Sequence, residues 1–289
     1  MKIKILIPIY NDWQSLSKLL DEINLNLTDL DQEISVIIIN DASNHDRKNE
    51  VIEYDNINSI KVINMKFNQG HARCIASGLK YILEKEDFDY VIPMDGDGED
   101  RPVEIKEFLN QIRKFENKPI VGERVKRSES LSFKICYQLH KLITFTFTGK
   151  SIKFGNYTCL PKSTVEKMVN EKATWNSFSG SLIKLEDRLI SIPSIRGIRY
   201  FGPSKMSFYN LIKHSLSIIA VFKTNVIIRS ILFFLIYLFL IYENLSYITI
   251  IPLVAVLALA ISVLVISKRE DMSEFDNSLS NIDNINTIK

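Results

Sequence analysis

The sequence predicts an α/β domain built on a mostly parallel sheet, continued by helices suited to a different solvent. Three observations carry this. Short apolar runs alternate with stretches of helical periodicity between residues 3 and 122. The runs end in polar loops at residues 8–12, 40–43, 68–71 and 95–100. Two apolar stretches, residues 226–242 and 247–266, approach the ~20 residues that cross a bilayer as a helix. Ligands of parallel sheets bind at the carboxyl ends of the strands, so the four polar loops converge on one candidate site.

Residues 3–9 read as a first strand, stopped by Pro8 and by Asn11-Asp12, which suit a helix cap. Leu16, Leu19, Leu20, Ile23 and Leu27 then recur at helical spacing. Residues 34–39 form a β-branched second strand, and residues 60–65 a third. A helix over 72–83 is entered through Asn68-Gln69-Gly70; residues 90–94 are the fourth strand, 104–115 the next helix and 120–122 a short fifth strand. Beyond these, the pattern predicts a helix over 133–147, a strand over 152–160, a helix from about residue 161 and a strand over 192–201.

Residues 208–222 carry apolar side chains on one face, with Lys213, His214 and Lys223 around it, as in a helix lying in a membrane interface. The two apolar stretches are separated by the polar turn 243–246 and so form a hairpin. Lys213, Lys223, Arg229, Lys268 and Arg269 flank its outer ends, and the turn has no Lys or Arg, which puts both termini in the cytoplasm. The organisation expected is a cytoplasmic domain over 1–205, a juxtamembrane helix over 206–225, a hairpin over 226–267 and a disordered tail over 268–289, rich in Asn, Ser and Asp.

Composition excludes little. Apolar residues make up 46% of the 289 and charged residues 24%, ordinary for a globular protein. The net charge of +2 argues neither for nor against nucleic acid, and none is expected as a partner. Cys74, Cys136 and Cys159 match no zinc or redox spacing and read as reduced thiols.

The chemistry concentrates at Asp95-Gly-Asp97-Gly-Glu99-Asp100, four carboxylates on a glycine-loosened loop after a buried strand. Like charges raise one another's pKa, so a cation is the economical occupant. A hard divalent ion with oxygen ligands, Mg²⁺ or Mn²⁺, suits the site, with water and substrate phosphates completing its shell. His71 and His140 have no identifiable acid–base partner and read as structural or solvent-facing.

In order, these pieces resemble the family-2 glycosyltransferases, and among them the polyprenyl-phosphate glycosyltransferases. Pro8-Ile9-Tyr10-Asn11 is similar to the opening P-x-Y-N of that family, and Asn40-Asp41-Ala42-Ser43 stands where it has D-D-G-S. Asn68-Gln69-Gly70-His71-Ala72 with Gly78 resembles its N-x-G…A…G segment, and residues 94–102 its M-D-A-D-L-Q-D-P-P. Gly122, Arg124 and Arg127 fit G-x-R-x-x-R, and Arg199, Gly202, Ser204 and Lys205 fit R-x-x-G-x-S-K.

The resemblance implies a glycosyltransferase A-type, Rossmann-like fold in an integral protein of a bacterial inner membrane. It implies inverting transfer of one sugar from a nucleotide-diphosphate-sugar to a polyprenyl phosphate, undecaprenyl or dolichyl. It puts Asp95, Asp97 and Glu99 around the metal and the donor's diphosphate, with Asp97 catalytic. Pro8, Tyr10, Asn11, Asp41 and Gly70 fall on the donor side with Asp95, and Arg124, Arg127, Arg199, Ser204 and Lys205 where the acceptor phosphate is held. Departures are Asn40 for Asp, Ala42 for Gly, Glu99 for Gln and Val103 for the second Pro. Two alternatives stay open. One is a hydroxyl acceptor on a lipid-linked glycan with Asp187, of a solvated Glu186-Asp187 helix pair, as base. The other is a non-catalytic membrane scaffold. A homo-oligomer is possible through the hairpin.

Overall fold

The computed structural model describes residues 1–28, 30–45, 54–126, 131–203 and 207–289. The chain opens with β1 (Lys2–Ile9), α1 (Trp13–Asn26), β2 (Glu33–Asn40), β3 (Ser59–Met65), α2 (His71–Lys85) and β4 (Tyr90–Pro93). Next come α3 (Ile105–Ile112), β5 (Ile120–Lys126), α4 (Leu131–Thr148), β6 (Phe154–Pro161), α5 (Lys162–Val169), α6 (Phe178–Leu185) and β7 (Ile190–Ile195). The last third holds α7 (Phe208–Ala220), α8 (Lys223–Ile241), α9 (Tyr247–Ser267), α10 (Met272–Asp276) and β8 (Ile282–Thr287).

Among the described residues the strands form one sheet in the order β7-β5-β6-β4-β1-β2-β3-β8. β1 runs parallel to both β2 and β4, while β6 lies antiparallel to β4 and β5. β1 and β2 are buried on both faces, as central strands of a doubly covered sheet must be. The pleat divides them: Ile3, Ile5 and Ile7 pack with Leu16, Leu19 and Ile23 of α1, and Leu6 packs with Ile75, Leu79 and Ile82 of α2. Chain order reverses between β1 and β4, so the crevice beyond their carboxyl ends is the switch point where such sheets take ligands.

The strand expected over 192–201 ends at Ile195, because the chain turns there to bind the acidic loop. The short strand expected over 120–122 extends to Lys126 through its pairing with β7.

α8 and α9 form an antiparallel hairpin, and Ser246 caps α9 through a reciprocal pair of bonds with Thr249. Their side chains are largely exposed, among them Leu235, Phe239, Ile251 and Val265. Arg229 donates to the carbonyls of Phe145 and Thr146, satisfying the unpaired end of α4 and tying it to the hairpin.

The expectation of a disordered tail over 268–289 is corrected. Phe275 is fully buried and stacks on Trp175 at 5.3 Å, while Trp175 Nε1 donates to Glu274 at 2.9 Å. β8 then pairs antiparallel with β3, closing a sheet edge that would otherwise present unpaired amides. Polarity signalled disorder, but Phe275, Leu279 and Ile282 anchor the segment within the core.

Candidate active site

The acidic loop after β4 is tightly held, contrary to the loosening its glycines suggest. Asp95 N–H donates to Asp100 at 2.9 Å, and Glu99 N–H donates to Asp97 Oδ1 at 3.0 Å. Gly197 N–H donates to the Glu99 carbonyl at 2.8 Å and Tyr200 N–H to the Asp97 carbonyl at 2.9 Å. Gly98 has φ +88°, and a Cβ there would lie 2.4 Å from the Tyr200 ring, so only glycine fits. The Tyr200 hydroxyl donates to Glu22 of α1 at 2.6 Å, which locks the arrangement from below.

Asp95 faces His71, the first residue of α2, at 3.2 Å, and Asn156 Nδ2 at 3.4 Å. Burial alone would raise the Asp95 pKa, but His71 and then Arg124 outweigh it and hold the carboxyl well below its usual range. The same acidic neighbours raise His71 above 6.5 against the opposing effect of its burial. Asp97 goes the other way: burial and then Asp95 push it up to about 6. Asp100 is fully enclosed and also shifts upward, by burial and then by Asp95. Two carboxylates whose environments drive them apart mark a site built to hold charge.

Arg199, expected at an acceptor phosphate, meets the acidic loop instead. Its Nη1 pairs with Asp97 at 2.7 Å, its Nη2 with Asp12, and its Nε donates to the Phe201 carbonyl at 3.0 Å. All three nitrogens are used, so Arg199 ties the end of β1 to the loop after β4. Glu99, expected at the metal, pairs with Arg196. Among the described residues no three His, Cys, Asp or Glu side chains form a preformed metal-holding group, and of the expected Asp95, Asp97 and Glu99 trio Glu99 is turned to Arg196.

At the loops expected to seat the donor, the ends of β1 and β2 clasp each other. Asn11 N–H donates to Ser43 Oγ and Asn44 N–H to Asn11 Oδ1, both at 2.8 Å. Pro8 pairs within the β1–β2 ladder, and Tyr10 stands 42% exposed at the rim. Asp41 is buried, and its carboxylate takes the amides of Gln69 at 2.8 Å and Gly70 at 2.9 Å. Asp41 and Gly70 thus orient the entry to α2 through each other. Ala42 sits at φ 55°, the conformation for which glycine is usual.

Arg124 lies on β5 with its guanidinium against Gly155 of β6, near enough to lower both Asp95 and Asp100. Arg127, Ser204 and Lys205 lie outside the described residues. His214 of α7 is depressed to about 4, by burial and then by the charge of His71.

Asp187 belongs elsewhere. It follows α6 and precedes β7, whose Ile190 pairs with Ile120 at the amino end of β5. The site lies beyond the carboxyl end of that strand, roughly 15 Å away at ~3.3 Å per residue. Glu186 is held there by Thr164 at 2.9 Å and Lys167 at 3.0 Å. The pair is not helical and cannot serve as base at this site.

Sequence reasoning placed the loops that carry Asp12 and His71 at the site without finding a partner for either, and it missed Asn156 and Arg196. Asp12 lies 187 positions from its partner Arg199, so no local spacing betrays it. His71 carried one signal: it begins a helix after a polar strand end.

An Mg²⁺ or Mn²⁺ ion fits this donor set through Asp95 and Asp97. Such ions take one or two protein carboxylates plus substrate phosphates, and a cation would offset the burial and then the Asp95 charge that raise Asp97.

The sequence model described as glycosyl transferase family 2 matches residues 4–172. The undecaprenyl-phosphate 4-deoxy-4-formamido-L-arabinose transferase of Proteus mirabilis is 27% identical over 218 residues, 73% of this chain and 64% of the relative. The chain thus spans 64% of the length of the curated relatives it matches. Glucosyl-3-phosphoglycerate synthase from Mycobacterium tuberculosis, solved with Mn²⁺, UDP-glucose and phosphoglyceric acid, superposes with a TM-score of 0.56 at 13% identity, covering 78% of this chain and 79% of that one. S. aureus TarS 1–349 in complex with UDP-GlcNAc gives 0.53 at 14% identity, covering 98% and 93%. These two likenesses establish the fold, the A-type Rossmann-like architecture expected from the sequence. Sheet order, switch-point site and matched family together give one conclusion: the chain belongs to glycosyl transferase family 2, a family of sugar-transferring enzymes.

Proposed function

We propose that the protein transfers one sugar, with inversion, from a nucleotide-diphosphate-sugar to a polyprenyl phosphate at the cytoplasmic face of a membrane. The observation that carries the reading is the opposition of Asp95 to His71 and Arg124 at the switch point, with Asp97 beside it held by Arg199. It brings carboxylates that suit a metal diphosphate beside cations that suit a second anion. The name of the Proteus mirabilis relative, an undecaprenyl-phosphate transferase, supports the acceptor class.

Asp95 and Asp97 would hold the divalent ion, which when bound supplies Lewis-acid stabilisation to the leaving nucleoside diphosphate. The clasped loops at Asn11, Ser43 and Gly70 would seat the nucleotide, with Tyr10 at its edge. The acceptor is an anion at neutral pH and needs no base, so the work left to the protein is to bring two anions together. Arg124, with Arg127, Ser204 and Lys205, would orient the acceptor phosphate; a guanidinium fork suits its oxygens. Arg199 would fix Asp97 and Asp12 rather than bind the acceptor.

The candidate spans Lys223–Asn244 and Tyr247–Asp276, which contain α8 and α9, are long and apolar enough to cross a bilayer. Lys223 and Glu270 pair at 3.3 Å where the hairpin leaves the domain, which would set the crevice near the headgroups. Residues 1–205 would then be the cytoplasmic unit, with 206–225 in the interface and 226–267 in the bilayer.

The test is transfer by purified protein with Mn²⁺ or Mg²⁺, undecaprenyl phosphate and a panel of radiolabelled nucleotide sugars. Label should enter the organic phase with one donor and not with Asp97→Ala. No transfer with any donor would refute the proposal.

A further inference from the structure

The C-terminal strand ends a one-way chain of hydrogen bonds that starts at the clasped loops. Asn11 N–H donates to Ser43 Oγ at 2.8 Å, and Ser43 N–H donates to Asn40 Oδ1 at 3.1 Å. Asn40 Nδ2 donates to Asn64 Oδ1 at 2.8 Å, and Asn64 Nδ2 to Asn284 Oδ1 at 2.7 Å. Asn284 Nδ2 donates to the Asp283 carboxylate at 2.8 Å. From the Ser43 N–H onward each link passes through a conjugated side-chain amide and polarises the next in the same sense, and the series closes on the Asp283 carboxylate.

Register places the three asparagines opposite one another, Asn40 against Asn64 and Asn64 against Asn284, one on each of β2, β3 and β8. Asparagine is a poor strand residue, so its recurrence on this line is not explained by propensity. Asn40 is only 7% exposed, and a buried amide is costly unless both ends are bonded. The line also accounts for Asn40 where the family has Asp: a carboxylate has no N–H to give Asn64.

We infer that Asn64 and Asn284 are positioning residues for the donor nucleotide, and that β8, which follows the hairpin, holds the loop at residues 40–45 in its binding geometry. This rests on the reading that the loop seats the donor. Asn284 orients the Asn64 amide, Asn64 orients Asn40, and Asn40 fixes the Ser43 amide whose hydroxyl holds Asn11. The strand is itself secured by Asn281 Nδ2 donating to the Phe67 carbonyl at 3.2 Å and Lys66 N–H to the Asn281 carbonyl at 2.8 Å. Donor binding is thereby linked to a segment on the far side of the hairpin in sequence.

The full-length protein with Asn284→Leu tests this, with Asn284→Asp as the conservative variant that keeps an acceptor for Asn64. Asn284 is exposed, so neither change leaves a cavity. Hydrogen exchange should quicken at residues 40–45 in Asn284→Leu and stay near wild type in Asn284→Asp. Titration with UDP and GDP in Mn²⁺ should show Kd rising about two- to tenfold in the leucine variant, the factor carried by one hydrogen bond. Acceptor KM should not change. Unchanged exchange at residues 40–45 in Asn284→Leu, or equal behaviour of the two variants, would overturn the inference. A wild type that binds neither nucleotide overturns the donor reading alone, and the exchange result then decides whether β8 holds the loop.

Discussion

Replacing Asp97 by asparagine should make the protein more stable while ending its activity. Burial, then Asp95, hold the folded pKa of Asp97 at about 6 against 3.8 ordinarily. Keeping the carboxylate ionised at neutral pH therefore costs about 3 kcal/mol, at ~1.36 kcal/mol for each tenfold gain in proton affinity. The side chain is 17% exposed and its pairing with Arg199 is lost in the variant, so a net gain of about 1–2 kcal/mol is expected. The sign follows from proton linkage. The folded state binds this proton more tightly than the unfolded chain, so the contribution to stability is full below pH 3.8 and is lost as pH rises through about 6. Thermal melting in detergent with EDTA at about pH 7.5 should place Asp97→Asn above wild type by roughly 2–6 °C. The gap should narrow toward about pH 5, where wild-type Asp97 is itself protonated. Mn²⁺ should raise the melting temperature of wild type but not of the variant. Mn²⁺ affinity of the wild type should weaken as pH drops through about 6, because the ion must displace the proton from Asp97. An Asp97→Asn variant melting below wild type at neutral pH, or a gap indifferent to pH, would refute the reasoning.

Gly98→Ala combines a positive φ with a Cβ inside the Tyr200 ring, and should destabilise by about 2–4 kcal/mol in denaturant melts. Adding Tyr200→Ala should recover part of that loss, since the two changes share one steric conflict. Asp187→Ala, at the opposite edge of the sheet, should leave kcat within about twofold in a transfer assay. Arg124→Ala should lower kcat/KM for the lipid about 10²-fold or more, with only partial recovery in Arg124→Lys, which keeps the charge and loses the fork.

The sheet was legible because burial writes itself locally: the β-branched run of β2 and the helical spacing of Leu16, Leu19, Leu20 and Ile23 needed no distant information. The site's location was legible for a similar reason, since polar residues at strand ends have few structural uses. Pairings across the fold were not legible. Arg199 meets Asp12 and Asp97 only because residues 196–200 turn back onto the acidic loop, and no spacing in the chain encodes that turn. Asp41 looked like a donor ligand, yet two backbone amides take its carboxylate. Glu99 was read as a metal ligand, and its pairing with Arg196, from the same returning segment, was not legible. The tail misled through its composition: polar strands at a sheet edge are compatible with order when a few apolar anchors, here Phe275 and Leu279, reach the core.

The most direct test of the central claim sets two acceptors side by side. Purified protein, Mn²⁺ and the active nucleotide sugar are supplied with undecaprenyl phosphate or with undecaprenol, which differs only in lacking the phosphate. Labelled lipid is expected with the phosphate alone, because Arg124 and its neighbours would orient an anion that undecaprenol does not carry. Transfer to undecaprenol at a comparable rate would contradict it.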